Sequence, residues 1–275
     1  MPKVLKEKIL RSEALARSIY RMTVESEYIS QTARPGQFVN LKCSDGIEPV
    51  LRRPISICRV NREQKTFELV FQVRGRGTEL LSRKKAGDSV DILGPLGNPF
   101  EISAHYKKIA VVGGGIGIFP LLFILDEYGK HREDNLKAFD LSAFIGFRDK
   151  DSIVLKDEFE KACDTCRIST EDGSAGCRGF VTGLLEEELS RKHYDIIYTC
   201  GPTAMMKKVA ETAGLYKVPC QVSLEQRMGC GIGACLVCAC KTKYGDGWEY
   251  SHVCKDGPVF WCDRVIFDEQ VEDFG

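Results

Sequence analysis

The 275 residues allow for two modest domains and a small third unit, and a 43% hydrophobic share can build sizeable cores. Lys plus Arg and Asp plus Glu both number 39, so the formal net charge is zero, which argues against nucleic acid as a main partner. No apolar run approaches the ~18 residues of a membrane helix, so no membrane partner is expected. The start, Met1-Pro2-Lys3-Val4-Leu5-Lys6-Glu7, has no signal-peptide core, and a cytoplasmic protein is expected. The 13 cysteines are an odd number and read as reduced thiols, not a disulfide framework.

Residues 1–100 read as an antiparallel β-barrel domain. Short strand-like runs at Lys3–Ser12, Ile19–Glu25, Phe38–Cys43, Ile55–Val60, Thr66–Val73 and Ser89–Leu93 are separated by turn signals such as Pro35-Gly36 and Gly87-Asp88. Leu93-Gly94-Pro95-Leu96-Gly97 reads as the turn that ends the barrel. Inside it lies Arg52-Arg53-Pro54-Ile55-Ser56-Ile57. By itself this is either an anion-binding arginine on a stiffened strand or a strand-edge proline beside a surface arginine.

Arg-Pro-x-Ser on an early barrel strand resembles the flavin motif of the ferredoxin–NADP reductase superfamily. Gly75-Arg76-Gly77-Thr78 resembles that superfamily's glycine-rich phosphate loop. The resemblance implies bound FAD. Arg53 would face the diphosphate, and Pro54, Ile55 and Ser56 would follow the flavin, with Ser56 near its N5 edge. Gly77 and Thr78 would hold phosphate, while Val70, Phe71 and Gln72 would line the isoalloxazine.

Residues 101–225 read as a Rossmann-like α/β domain with a parallel sheet. Ile109–Gly113 is a short apolar strand, Gly113-Gly114-Gly115-Ile116-Gly117 a glycine turn, and Ile118–Tyr128 a helix. Further strands are expected at Phe139–Phe147, Arg167–Thr170, Ile196–Cys200 and Cys220–Leu224, with helices at Leu155–Cys163, Gly183–Leu189 and Thr203–Gly214. The glycine turn, Gly113, Gly114, Gly115 and Gly117, is the expected NAD phosphate site. Cys200-Gly201-Pro202-Thr203-Ala204-Met205 resembles the reductases' Cys-Gly-Pro-x-x-Met signature, which implies that Cys200, Gly201 and Pro202 lie near the nicotinamide. Cys200 would act by shape and not as a nucleophile. Glu171-Asp172 reads either as a carboxylate favouring NAD over NADP or as a solvated loop. Cys163 and Cys166 read as bystander thiols.

Residues 226–275 read as a cluster module. Cys230, Cys235 and Cys238 follow the Cys-x4-Cys-x2-Cys spacing, with Cys254 remote, which is the plant-type [2Fe-2S] ligand pattern. The small residues Gly231, Gly233 and Ala234 let amides turn inward. The rival is a structural zinc site, but zinc favours cysteine pairs from two arms, which this spacing fits poorly.

The three units in this order, with Ser223-Leu224-Glu225-Gln226-Arg227-Met228-Gly229-Cys230 and Val253-Cys254-Lys255-Asp256-Gly257-Pro258, resemble the electron-transfer subunits of class 1B dihydroorotate dehydrogenase. That resemblance implies an FMN-containing catalytic partner, a heterotetramer of two of each subunit, and a place in pyrimidine (UMP) biosynthesis. NAD would be an exchangeable substrate. It places the partner surface around Cys230–Cys238 and Trp261. Two other readings are the small subunit of an NADH-dependent ferredoxin:NADP oxidoreductase, which usually has Asp where Cys230 stands, and a non-enzymatic redox-sensing protein. The extra thiols Cys240 and Cys262 carry no assigned role.

Overall fold

The computed structural model describes residues 1–44, 46, 48–135 and 139–267 of the 275, with side chains not described at 131–135. Six antiparallel strands close a barrel: β1 (Lys3–Ala16), β2 (Ile19–Glu25), β3 (Phe38–Lys42), β4 (Arg53–Asn61), β5 (Thr66–Gln72) and β6 (Ser89–Leu96). The order is β1-β2-β5-β4-β3-β6. Closure pairs every strand on both sides, so no edge is left open. Ile9, Met22, Val39, Leu41, Ile57, Phe67 and Leu69 fill the interior from alternating positions. Of two short helices, α1 (Glu27–Thr32) was not expected from periodicity, and α2 (Arg76–Ser82) opens at the glycine-rich loop. The stretch 93–97 does end the barrel, but Gly94-Pro95 lies inside the last strand and is not a turn. β6 runs on to Leu96, which pairs with Phe38, and the β3–β6 register shifts between Phe38 and Asn40. A proline is tolerated there because the ladder is already irregular.

The second body alternates strand and helix: β7 (Lys108–Gly114), α3 (Phe119–Asn135), β8 (Asp140–Phe147), α4 (Lys156–Ala162), β9 (Thr165–Thr170), β10 (Cys177–Arg178), α5 (Val181–Leu189), β11 (Ile196–Cys200), α6 (Thr203–Leu215) and β12 (Cys220–Ser223). After β12 come the hairpin β13 (Ala239–Tyr244) and β14 (Gly247–His252), then β15 (Val259–Trp261). The sheet order is β10-β9-β8-β7-β11-β12-β15. Pairing is parallel except at the last step, where β15 runs antiparallel to β12. A strand from beyond the thiol segment thus completes the nucleotide sheet. The same segment also meets the barrel end, through an Asn98–Pro258 bridge and the Asn98 Nδ2 bond to the Asp256 carbonyl at 2.7 Å.

Barrel and sheet are clasped by ion pairs. Arg59 on β4 donates to both carboxylate oxygens of Asp126 on α3, at 2.7 Å each, and Arg62 pairs with Glu127 at 2.7 Å. Arg21 on β2 reaches Glu158 on α4. Truncating a partly buried bidentate partner strands its carboxylate, so Arg59→Ala is expected to cost about 2 kcal/mol of stability. Denaturant unfolding of the holoprotein measures this, and a loss within about 0.5 kcal/mol, as for an exposed pair, would contradict it.

Candidate functional site

The start of β4 and the end of β5 lie together. They form a cleft of ≈ 230 Å³ lined by Pro54, Ile55, Ser56, Val70, Phe71, Gln72 and Thr78 from the barrel. Its far wall is Ile116, Phe119 and Cys200 from the sheet body, and its end is Leu224, Gln226, Met228 and Pro258. An apolar slot with a few polar groups suits a flat ring system. Arg53 does not line the slot. Its guanidinium lies over Gly77, where a Cβ would stand 2.7 Å from Nε, so only glycine admits it. Arg53 Nη1 also donates to the Leu51 carbonyl at 2.7 Å. The Thr78 hydroxyl is occupied by its own loop, accepting from Arg74 N and donating to the Gly75 carbonyl, each at 3.0 Å. The forked cation beside this loop matches a diphosphate, and the slot matches an isoalloxazine, so the residues fit FAD.

The strand order reverses between β7 and β11, and their C-terminal ends stand side by side. Ligand crevices form at such switch points. A crevice of ≈ 970 Å³ opens there, lined by Gly114, Gly115, Pro202, Arg148 and Glu171, with Arg17 and Arg74 from the barrel. Gly113 and Gly117 are packing positions. A Cβ at Gly113 would stand 2.7 Å from Leu121 Cδ1, and one at Gly117 would stand 2.5 Å from both the Cys200 oxygen and Gly201 Cα. Gly201 is the left-handed turn (φ 154°) between them. Cys200 is buried and faces the flavin-like slot, not the crevice. Burial, with Glu225 nearby, pushes its thiol up, so it stays neutral and acts by shape. Asp172 is held by Ser174, accepting from its N at 2.9 Å and its Oγ at 2.6 Å, which leaves Glu171 as the carboxylate of that pair facing the crevice.

The four thiols Cys230, Cys235, Cys238 and Cys254 come together at the mouth of the third unit. They meet as two pairs, Cys230 with Cys235 and Cys238 with Cys254. Among the described residues no three metal-ligating side chains converge on one ion. Two thiolates for each of two irons is the demand of a [2Fe-2S] core, so the pairing fits that group better than one tetrahedral zinc. Backbone amides turn inward as the small residues suggest. Cys230 Sγ accepts from Ala234 N at 3.2 Å and Ile232 N at 3.5 Å, and Cys254 Sγ accepts from Gly233 N at 3.1 Å. Burial pushes Cys230 up, but the Ile232, Cys235 and Ala234 donors outweigh it and bring the thiol down to about 6. Burial and the neighbouring Cys238 push Cys254 up to about 12. A bound cation would reverse that second shift.

Two protein-family models match: an iron-sulfur cluster binding domain of dihydroorotate dehydrogenase B over residues 225–266, and an oxidoreductase NAD-binding domain over 111–211. A dihydroorotate dehydrogenase B (NAD(+)) electron transfer subunit of Desulforamulus reducens is 39% identical over 98% of this chain and 100% of its own length. One from Caldanaerobacter subterraneus is 40% identical over 96% and 98%. The chain belongs to the family of dihydroorotate dehydrogenase B electron transfer subunits. Among solved structures, an NADH-dependent reduced ferredoxin-NADP oxidoreductase is 33% identical with a TM-score of 0.82, covering 96% of this chain and 90% of that one. A Neisseria gonorrhoeae ferredoxin NADP+ reductase, solved with FAD and NADP, shares the fold at 19% identity and a TM-score of 0.63, over 78% and 92%.

Within this family member the thiol loop carries an exposed apolar collar, Ile232, Leu236 and Val237, at 52%, 73% and 55% accessibility. Trp261, expected beside it, is a sheet residue instead. It pairs with Gln221 on β12 and packs against the larger core, because β15 is drawn into the sheet. Cys163 caps the end of α4, donating to the Phe159 and Thr165 carbonyls at 3.0 and 3.2 Å. Cys240 is buried in the core beside the loop. Sequence reasoning missed Ile116, Phe119, Leu224 and Gln226 as slot residues. Only their nearness to the glycine turn and the first thiol could have pointed to them.

Proposed function

We propose that this chain carries electrons from a catalytic partner subunit, where dihydroorotate is oxidised on FMN, to NAD+. Cys230, Cys235, Cys238 and Cys254 would hold a [2Fe-2S] cluster. Arg53 and the loop at Gly77 and Thr78 would hold the FAD diphosphate, with Pro54, Ile55, Ser56, Val70, Phe71 and Gln72 around its ring. Gly114, Gly115 and Pro202 would receive NAD, with Gly113, Gly117 and Gly201 shaping the turns. When bound, the cluster passes single electrons, and FAD converts them to the hydride that NAD+ takes. Gln72, Arg74 and Ile116 line both crevice and slot, so the two meet at one wall, and Cys200 stands on the slot's sheet side. Residues 1–100, 101–225 and 226–275 would carry flavin, nucleotide and cluster in turn.

The observation that carries this reading is the shared wall. Gln226, Met228 and Pro258 line the flavin-like slot and flank the ligands Cys230 and Cys254 in sequence. A one-electron relay placed there lies beside the two-electron site. The chain would work in a heterotetramer with two of each subunit, in the cytoplasm; that its relatives are named as electron transfer subunits supports a catalytic partner.

The test is anaerobic. The purified chain is expected to contain FAD, two irons and two sulfides, and to oxidise NADH with artificial acceptors only. Dihydroorotate-dependent NADH formation is expected when the FMN-bearing subunit is added. Zinc in place of iron, or dihydroorotate oxidation by the chain alone, would sink the proposal.

A further inference from the structure

A buried polar side chain of the barrel reaches the thiol loop. Asn40 lies on β3 with 1% of its surface exposed, and its Nδ2 donates to the Cys230 carbonyl at 3.4 Å. The loop is shaped to receive it. Gly231 is left-handed (φ 73°), and a Cβ there would stand 2.5 Å from Asn40 Nδ2. Position 40 is pinned from behind as well. Arg52 Nη1 donates to the Asn40 carbonyl at 3.3 Å, and Arg52 Nη2 pairs with Asp91 at 2.7 Å.

The same strand face serves the slot. Val39 and Leu41 point into the barrel core, so Phe38 and Asn40 share the opposite face. Phe38 lines the flavin-like slot, while Asn40, one strand repeat of about 7 Å further on, meets the loop. Asn40 also lies opposite Pro54, and Leu41 opposite Arg53, so β3 ties the loop contact to the strand that carries the flavin motif. The other amide atom, Asn40 Oδ1, is buried with no hydrogen-bond partner among the described residues. Burying an orphan acceptor is unfavourable, and a leucine, branched at the same carbon, would avoid it. The amide is retained for its donor end.

We propose that Asn40 is a positioning residue that fixes the thiol loop at a set distance from the flavin slot. β3 is the spacer and the Nδ2–Cys230 bond is its clamp. The inference rests on the reading that Cys230 holds a cluster and the slot holds FAD.

The test uses the holoprotein, reduced anaerobically with NADH in a stopped-flow instrument, with electron-spin spectra of the reduced cluster. Asn40→Leu is expected to keep FAD and iron and to accept the hydride within about twofold of the parent rate. Electron passage from flavin to cluster is expected to slow about tenfold, as a small misplacement at a relay would cause, with an altered spin spectrum. If the leucine variant does not fold, Asn40→Ala removes the donor without adding bulk or charge and gives the same readout. An unchanged flavin-to-cluster rate and spectrum in a folded variant overturn the role of Asn40. A parent protein with no [2Fe-2S] signal overturns the reading beneath it instead.

Discussion

Replacing Cys238 with serine is expected to abolish the iron-sulfur signal and cut electron transfer with the catalytic partner by more than about 100-fold. Cys238 is 1% exposed and meets Cys254, so no solvent ligand can easily take its place. A serine oxygen is harder, shorter and protonated at neutral pH, and it leaves one iron with a single thiolate. The backbone should survive, since Val253 N still donates to the Cys238 carbonyl at 3.0 Å. NADH oxidation with an artificial acceptor should stay within about twofold, because hydride transfer needs the slot and crevice and not the loop. Iron analysis, spin spectra and the two assays on one preparation check this. A variant that kept both irons and full partner activity would remove Cys238 from the ligand set.

The second large effect is expected at Gly117. Its absent Cβ would lie 2.5 Å from the Cys200 oxygen and from Gly201 Cα, and 2.6 Å from the Cys200 carbonyl carbon. These are backbone atoms at the end of a central strand, so they cannot give way as a side-chain tip can. Gly117→Val must push the Cys200–Pro202 turn outward. That turn is shared, since Cys200 lines the slot and Pro202 the crevice. NADH oxidation is expected to fall about 100-fold, since hydride transfer fails with displacements near 1 Å. FAD should remain bound, as Arg53 and Gly77 lie on the barrel. Steady-state assays with flavin content decide it, and activity within about threefold would show that the turn has room to move.

Most of the architecture was legible because its signals are local. The barrel strands alternate, the nucleotide strands are apolar runs, and the cysteine spacing is the geometry of its cargo. What escaped was set by packing at a distance. β15 is three residues long and gains its identity from the open side of β12, which no window of sequence displays. That Trp261 sits half-buried on the sheet's edge strand could therefore not be read from the sequence. The glycine turn was read as a ligand loop, and packing adds a second demand on it, since a Cβ at Gly113 or Gly117 would meet α3 or the Cys200 turn. Cys200 lines the flavin-like slot, the place where a nicotinamide would have to meet the flavin, and only the barrel's position reveals that wall. Asn40 had no signal, because its partner lies 190 positions away.

The strand β15 and the bridge at Asn98 also bear on how such a protein can be rearranged by recombination. The C-terminal piece is stitched into the fold on two fronts, at β12 and at the rim of the barrel. It is no portable cassette. Cut away at its nominal boundary, it would leave β12 with a bare edge, an invitation to clumping. Swapping redox tails between related reductases must therefore carry the edge strand's landing place along with the tail.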